Sequence, residues 1–330
     1  MPSRIVFTGK QQVHYEPVTL PAPAAGEVLS RALYTLMSIG TENIVFNRLF
    51  ESGSHFDNWV KYPFYPGYST VAEVVAVGEG VTDFKPGDRV AHRGKHASHH
   101  ITKAMHLVPV PVGIAPEQAA WWALAKIAFV GARAAEYLLG DTVLVIGAGP
   151  IGQMSLRWAV AAGAAHVVVV DPMANRLEFA KRGGATRTFS CPLNELKEPL
   201  MAELGGELPR VVVDSTGHNA VFAEALGLAR PRGRLVLIGD TGTPTQQHLT
   251  GAVITQGLTI VGAHDCHNDN GWNDLAVGKY FLRMVKSGRF NMDDMITHKF
   301  APADCAKAYA TVNAARGTAM GVVFDWSKAE

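Results

Sequence analysis

The stretch that decides the fold is Thr142-Val143-Leu144-Val145-Ile146-Gly147-Ala148-Gly149-Pro150-Ile151-Gly152. Five β-branched or aliphatic residues run without a break into glycines spaced G-x-G-x-x-G, and a helical segment, 152–162, follows. A buried strand turning sharply into a helix has this pattern. Gly147 makes the tight turn, Gly149 lets the backbone approach a pyrophosphate, and Gly152 lets helix and strand pack closely. Pro150 and Ile151 stand between them where the helix begins, and its unpaired N–H groups receive phosphate charge. The next apolar run, His166–Val170, ends in Asp171, about 20 residues past the glycines, where an acid meets a ribose. A Gly-rich turn alone is weak evidence, but strand, glycines, helix, strand and acid in register predict a dinucleotide-binding Rossmann unit.

Working outward, further apolar runs at Val211–Asp214, 234–238 and 258–261 alternate with helical segments, of which 175–182 is the clearest. Short continuous apolar strands with crossover helices predict a doubly wound parallel α/β sheet. Gly217 and Gly239 follow two of these strands, on the carboxyl edge where Rossmann ligands lie; Gly239 is assigned to the nicotinamide half, with plain turn duty the alternative for each. Asp171 would accept from both ribose hydroxyls and repel a 2′-phosphate, and Pro172-Met173-Ala174 supplies no cation, so NAD is expected rather than NADP. Arg176 lies close enough to reach a 2′-phosphate if reoriented; its plain reading is a solvated helix position.

Before residue 116 the chain is punctuated by Pro and Gly, with β-type runs at 27–33, 71–77 and Arg89–His92. An Ala-rich, Gly-poor stretch, 119–139, is made of helix formers. After residue 265 come a helix near 273–287, a segment Ile296–Phe300, a helix near 302–315 and a strand 321–324. The expected domains are a mostly-β one over 1–125 and 266–330 and the Rossmann domain over 126–265. In 330 residues, 30 Lys+Arg against 29 Asp+Glu offer no bulk attraction for nucleic acid or an anionic membrane, which points to a small-molecule partner. Cys191, Cys266 and Cys305 lie far apart, so neither a disulfide framework nor a four-thiolate zinc site is expected. With no apolar run of membrane-spanning length and no signal-like start, the expected location is cytoplasmic.

A β module, a Rossmann unit and a return to the first module resemble the medium-chain dehydrogenase/reductase, or alcohol dehydrogenase-like, family over essentially the whole chain. Pro66-Gly67-Tyr68-Ser69, the strand from Val71, and Lys85-Pro86-Gly87-Asp88-Arg89-Val90 look like the family's Gly-His-Glu block, following strand and Gly-Asp-Arg-Val turn. Ile39-Gly40-Thr41-Glu42 looks like its Cys-Gly-Thr-Asp block. The resemblance implies a GroES-like catalytic domain, hydride transfer to or from a nicotinamide, and a homodimer or homotetramer. Where the zinc branch has ligands, this chain has Ile39, Tyr68 and Ser69, with Ala123 near the third, and the structural zinc loop is missing. No metal is therefore expected, and the pattern is most similar to the zinc-free bacteriochlorophyllide hydroxyethyl dehydrogenase-like group.

Without zinc, another group must handle the substrate proton. Four of the 13 histidines, His92, His96, His99 and His100, fall between residues 91 and 100, just after the turn that borders the family's substrate cleft. His96 is the first candidate base and His92 the second; surface histidines on an irregular strand are the plain alternative. Lys126 has Trp122, Ala123, Phe129 and Val130 at helical spacing, so it would be buried where it could act as a base or hold an alkoxide; a wet stripe with Gln118 and Arg133 is the alternative. Thr41 matches the family's relay hydroxyl and Tyr68 stands at a ligand position, so either could pass a proton. Glu42 is expected to orient neighbours, and Trp121 and Trp122 to be core. Ser38 carries too little signal for a role, and His264, His267 and Asn268 could serve substrate or subunit contacts. The leading expectation is a zinc-independent NAD-linked dehydrogenase for a secondary alcohol of a polyol, cyclitol or sugar-like molecule. A quinone or enoyl reductase and a non-catalytic dinucleotide sensor or scaffold are the alternatives.

Overall fold

A computed structural model describes residues 1–267 and 271–328; Asn268 lies outside them. The chain forms two compact units, Met1–Leu49, His55–Lys126 and Asn270–Glu330 in the first, Phe50–Ser54 and Ile127–Asp269 in the second. The short segment 50–54 joins the second unit through Glu51, whose N–H donates to the Gly242 carbonyl (2.8 Å) and whose carboxylate accepts from Thr245 Oγ1 (2.7 Å).

The second unit is built on six parallel strands in the order Arg187–Phe189, His166–Val170, Thr142–Ile146, Val211–Asp214, Arg234–Leu237, Thr259–Gly262. Numbered along the chain within this unit, that order is 3-2-1-4-5-6, the doubly wound arrangement whose ligand crevice lies past the carboxyl ends of the first and fourth strands. Leu144, Ile146, Val168, Val170, Val212 and Leu235 are fully buried and meet Leu196, Leu200, Phe222 and Leu226 from the covering segments. Continuous burial is why these strands read as apolar runs. Arg187–Phe189 escapes the sequence reading because it is a three-residue edge strand, Arg-Thr-Phe, with no apolar run.

The first unit is mostly β. Its larger sheet runs Ile296–Phe300, Gly321–Asp325, Glu27–Leu36, Thr70–Val77, Arg89–His92, Val108–Pro109, and His99–Lys103 pairs with Glu27–Leu36 outside that path. Register shifts between Leu29 and Ser30 and between Ala32 and Tyr34 bend the long strand Glu27–Leu36, which serves both His99–Lys103 and Thr70–Val77. Val28, Ala72, Val74, Val90 and Leu107 form one buried cluster in this unit.

The stretch 119–139 is not one helix. Pro116–Ala119 and Trp122–Ala134 are separate. At the break Trp121 N–H bonds back only three residues, to Gln118 O, while Ser69 Oγ donates to the Ala120 carbonyl (2.6 Å). The second helix stops where Glu136 adopts a left-handed conformation.

Candidate active site

In the second unit the glycine loop has the geometry that a dinucleotide needs. A Cβ at Gly152 would lie 1.9 Å from the Gly147 carbonyl oxygen, so only glycine permits this turn to close on its helix. Pro150 occupies the first turn of the helix Pro150–Ala161, where no N–H is lost from the ladder. Gly217 and Gly239 lie side by side past the ends of Val211–Asp214 and Arg234–Leu237. Beside them burial pushes the Asp214 carboxyl up, against the opposing hydrogen bonds from Thr216 and Gly217.

Asp171 is buried, and its carboxylate is more occupied than the sequence suggests. Oδ2 accepts from Ala148 N (2.7 Å) in the glycine loop and Oδ1 from Met173 N (2.8 Å). Arg176 Nη1 stands 3.6 Å from Oδ2. Since each carboxylate oxygen has about two acceptor positions, about two remain, one on each oxygen, and the guanidinium faces Oδ2. Arg176 is also not the solvated helix position of the plain reading, since its side chain is only 18% exposed. Gln153, fully buried, donates from Nε2 to the Ala148 carbonyl and to the Arg176 carbonyl, both at 3.0 Å.

In the first unit the helix Ile39–Asn47 starts at the Ile39-Gly40-Thr41-Glu42 block. Ser38 is its N-cap residue, yet its hydroxyl makes no capping bond and instead accepts from the Tyr68 hydroxyl. Tyr68 also bonds to Thr41, and burial pushes its phenol up to about 12 against these two hydrogen bonds, with a smaller upward push from Glu42. Glu42 reaches back to hold Ser38 N–H (Oε1, 2.8 Å) and accepts from Tyr309 Oη (Oε2, 2.6 Å).

His96 completes this network and corrects the expectation of an accessible base. It is fully buried, its Nε2 lies 3.2 Å from Glu42 Oε2, and its Nδ1 lies 2.7 Å from Thr35 Oγ1, which accepts from Trp326 Nε1 (3.0 Å). Gly67, with φ +89°, makes room: a Cβ there would be 2.8 Å from His96 Nδ1. With both ring nitrogens engaged inside the core, His96 suits positioning Glu42 rather than meeting substrate.

The other histidines divide differently. His92 is buried with its ring against His100, centroids 4.7 Å apart. Burial pushes both down, His92 well below its ordinary value and His100 to about 4, despite the His100 bond to the Lys95 carbonyl. These two are neither surface histidines nor bases poised near neutral pH.

Lys126 is 2% exposed, which removes the wet-stripe reading, and its Nζ lies 3.6 Å from Asp274 Oδ1. Arg93 holds the same carboxylate with two bonds of 3.0 and 3.1 Å and lies over the rings of Trp122 (5.1 Å) and Tyr68 (5.7 Å). Asp274 is held below the usual carboxylate range by Arg93 and then Lys126, against its own desolvation. Trp121 and Trp122 are fully buried, as core residues are. Sequence reasoning missed Arg93, Asp274, Thr35, Tyr309 and Trp326. Arg93 adjoins His92 and could have been noticed, but nothing local marks the others.

The donor set does not suit the family's catalytic zinc. Ile39 and Ala123 carry no ligating atom, Ser69 Oγ is committed to a carbonyl, and Tyr68 remains a neutral phenol. Among the described residues no three His, Cys, Asp or Glu side chains are placed so that they could hold a metal ion together.

Residues 37–123 match the family model of the alcohol dehydrogenase GroES-like domain, and residues 150–276 that of the zinc-binding dehydrogenase. The D-xylulose reductase of Scheffersomyces stipitis is 30% identical over 300 residues, covering 77% of this chain and 81% of its own. An L-threonine 3-dehydrogenase of Vibrio parahaemolyticus is 29% identical, covering 82% and 86%. A short chain alcohol dehydrogenase from Escherichia coli CFT073, solved in complex with NADH, superposes with a TM-score of 0.81 at 22% identity over 98% and 99% of the two chains. The chain belongs to the medium-chain dehydrogenase family of zinc-binding type, a GroES-like domain joined to a Rossmann domain. It is a nicotinamide-dependent oxidoreductase of the alcohol dehydrogenase class. Among the described residues no helix is long and apolar enough to cross a membrane.

Proposed function

We propose that this chain is a zinc-independent, NAD(H)-linked dehydrogenase or ketone reductase acting on a secondary alcohol of a polyol, cyclitol or sugar-like molecule. The observation that carries the proposal is the hydroxyl cluster of Tyr68, Ser38 and Thr41, in which Tyr68 stands at a position where the resembled zinc branch has a metal ligand and Thr41 at its relay hydroxyl. A bound nicotinamide dinucleotide supplies or accepts the hydride. This chain's own residues manage the proton and the charge on the substrate oxygen.

A phenol held neutral at pH 7 is a donor rather than a base. In the direction of ketone reduction Tyr68 would hydrogen-bond the carbonyl oxygen and protonate it as the alkoxide forms, while Ser38 and Thr41 hold the phenol in place. Glu42 fixes Ser38 through its backbone N–H, and His96, Thr35, Tyr309 and Trp326 fix Glu42. Lys126 and Arg93, gathered on Asp274, would stabilise developing negative charge without being the acid. The D-xylulose reductase relative supports a polyol or ketose substrate, and the threonine dehydrogenase relative makes an amino alcohol the first competitor. Asp171 supports NAD(H), domain limits of 1–125 with 266–330 and 126–265 are adopted, and a homodimer or homotetramer in the cytoplasm is expected.

The experiment is a turnover panel of D-xylulose, xylitol, 2,3-butanediol and L-threonine, with NAD(H), in the presence of a strong chelator. Activity on a polyol or ketose that survives chelation supports the proposal. Activity confined to L-threonine, or lost with bound zinc, overturns its substrate or its zinc-free part. NADH binding without turnover of any of these compounds favours the dinucleotide sensor.

A further inference from the structure

We infer that the outer edge of the strand Gln12–Pro17 is a docking surface for a second copy of this chain, which pairs with it antiparallel through its own Gln12–Pro17, with a twofold axis at His14. The inference gives the expected homo-oligomer one of its contacts, and it is independent of the proposed chemistry.

Ser3–Gly9 and Gln12–Pro17 form a two-stranded antiparallel sheet of their own. On the first of these strands Ile5 and Phe7 donate away from the hairpin, to the His96 and Phe64 carbonyls, both at 2.8 Å. The alternation of an antiparallel ladder therefore leaves Arg4 and Val6 to bond Glu16 and His14, and it turns the main-chain groups of Val13 and Tyr15 outward. Among the described residues no hydrogen bond reaches those groups. An edge with open donors and acceptors is a template for another strand.

Beside this edge lies a groove of about 660 Å³, whose other wall is the helix Cys305–Ala314. That wall presents Ala306 and Ala310, one turn apart and both exposed, so no long side chain stands in the way of an incoming backbone.

The edge is complementary to itself in one register. With His14 opposite His14 of the second copy, Val13 of each chain exchanges main-chain hydrogen bonds with Tyr15 of the other, and every outward N–H and C=O of these residues is satisfied. The same register sets Val13 against Tyr15, a β-branched and aromatic pair, on one face and Gln12 against Glu16 on the other. Moving the axis to Val13 would call on Gln11, whose N–H is taken by the Phe46 carbonyl (2.9 Å), and moving it to Tyr15 would call on Pro17, which has no N–H.

The test is sedimentation equilibrium of the full chain, as the parent and as His14→Lys and Val13→Pro, each checked for native circular dichroism, together with oxidative cross-linking of His14→Cys. His14 is exposed and the Val13 N–H serves no bond within the fold, so neither site is needed for folding. His14→Lys sets two ammonium groups face to face on the axis, and Val13→Pro removes an outward N–H from each copy. Each should raise the dissociation constant of the contact about ten- to hundredfold and lower the mass of the assembly. Across the axis the Cα atoms of position 14 would lie about 4.5 Å apart, within disulfide reach, so His14→Cys should give a reducible covalent dimer on mild oxidation. Thr8→Cys, exposed on the neighbouring strand, should do no more than the parent. A parent that is monomeric at every concentration overturns the inference, as does an assembly that both variants leave unchanged with no covalent dimer from His14→Cys; the latter result leaves a homo-oligomer built on another surface. Dissociation by the variants without that covalent dimer overturns the axis at His14.

Discussion

The sheet of the second unit buries valines, leucines and isoleucines, with Asp171 and Asp214 placed at its strand ends. The sheet of the first unit carries a buried polar chain from Trp326 through Thr35, His96 and Glu42 to Tyr309. The difference follows from what each must hold. A dinucleotide is gripped largely by backbone N–H groups, so an apolar sheet with glycines at its edge suffices. Proton handling needs side chains fixed in one arrangement, and burying them requires that each find a partner.

The largest expected effect tests the polar side of that comparison. Tyr68→Phe keeps the ring and its packing but removes the proton donor, so kcat should fall by about 10²–10⁴ while NADH affinity is unchanged. A loss of only a few-fold would move the proton chemistry elsewhere, with Thr41 and Lys126 the next residues to exchange.

Next in size is the network behind Tyr68. Glu42→Ala leaves His96, Tyr309 and Ser38 N–H without their common acceptor, and each buried donor left unsatisfied costs about 1–3 kcal/mol. The urea midpoint should drop sharply. Glu42→Gln, which keeps an acceptor, should recover part of the loss.

The third effect is on pH. His92 and His100 are held neutral in the folded state, with His100 at about 4 against an unfolded value of 6.5. Below pH 6.5 the unfolded chain therefore binds more protons than the folded one, and stability falls as the pH drops. For His100 the loss is about 1.4 kcal/mol per pH unit until the pH reaches about 4, where the folded state protonates too. Urea midpoints from pH 7 to 4.5 should decline for the parent and more gently for His100→Gln, and identical slopes would contradict this. The smallest expected effect is none: metal analysis should return less than stoichiometric zinc, and prolonged chelation should leave activity unaltered.

The comparison also explains what was legible in the sequence. The second unit's strands announce themselves as apolar runs, and its glycines and acid are spaced by local geometry, so the Thr142–Gly152 stretch and Asp171 were readable without a structure. In the first unit Tyr309 meets Glu42, 267 positions away, and Trp326 meets Thr35, 291 positions away. No periodicity links such pairs. His96 was singled out for its residue type, but whether it faces substrate or core depends on what packs around it, which only Thr35, Glu42 and Phe324 in place could decide. Arg176 was noticed for its position, and its ion pair with Asp171 needed coordinates.

Gln153 has a kinetic consequence. By tying the Ala148 carbonyl to the Arg176 carbonyl, it leaves the glycine loop and the start of the helix Ala174–Arg182, the proposed pyrophosphate and ribose contacts, already assembled. A cofactor arriving at such a site has little chain to order, so encounter rates for NADH and NADPH should be similar. Their difference in affinity is then a difference in residence time, set by how long the adenosine end stays seated after the rest of the molecule has begun to leave.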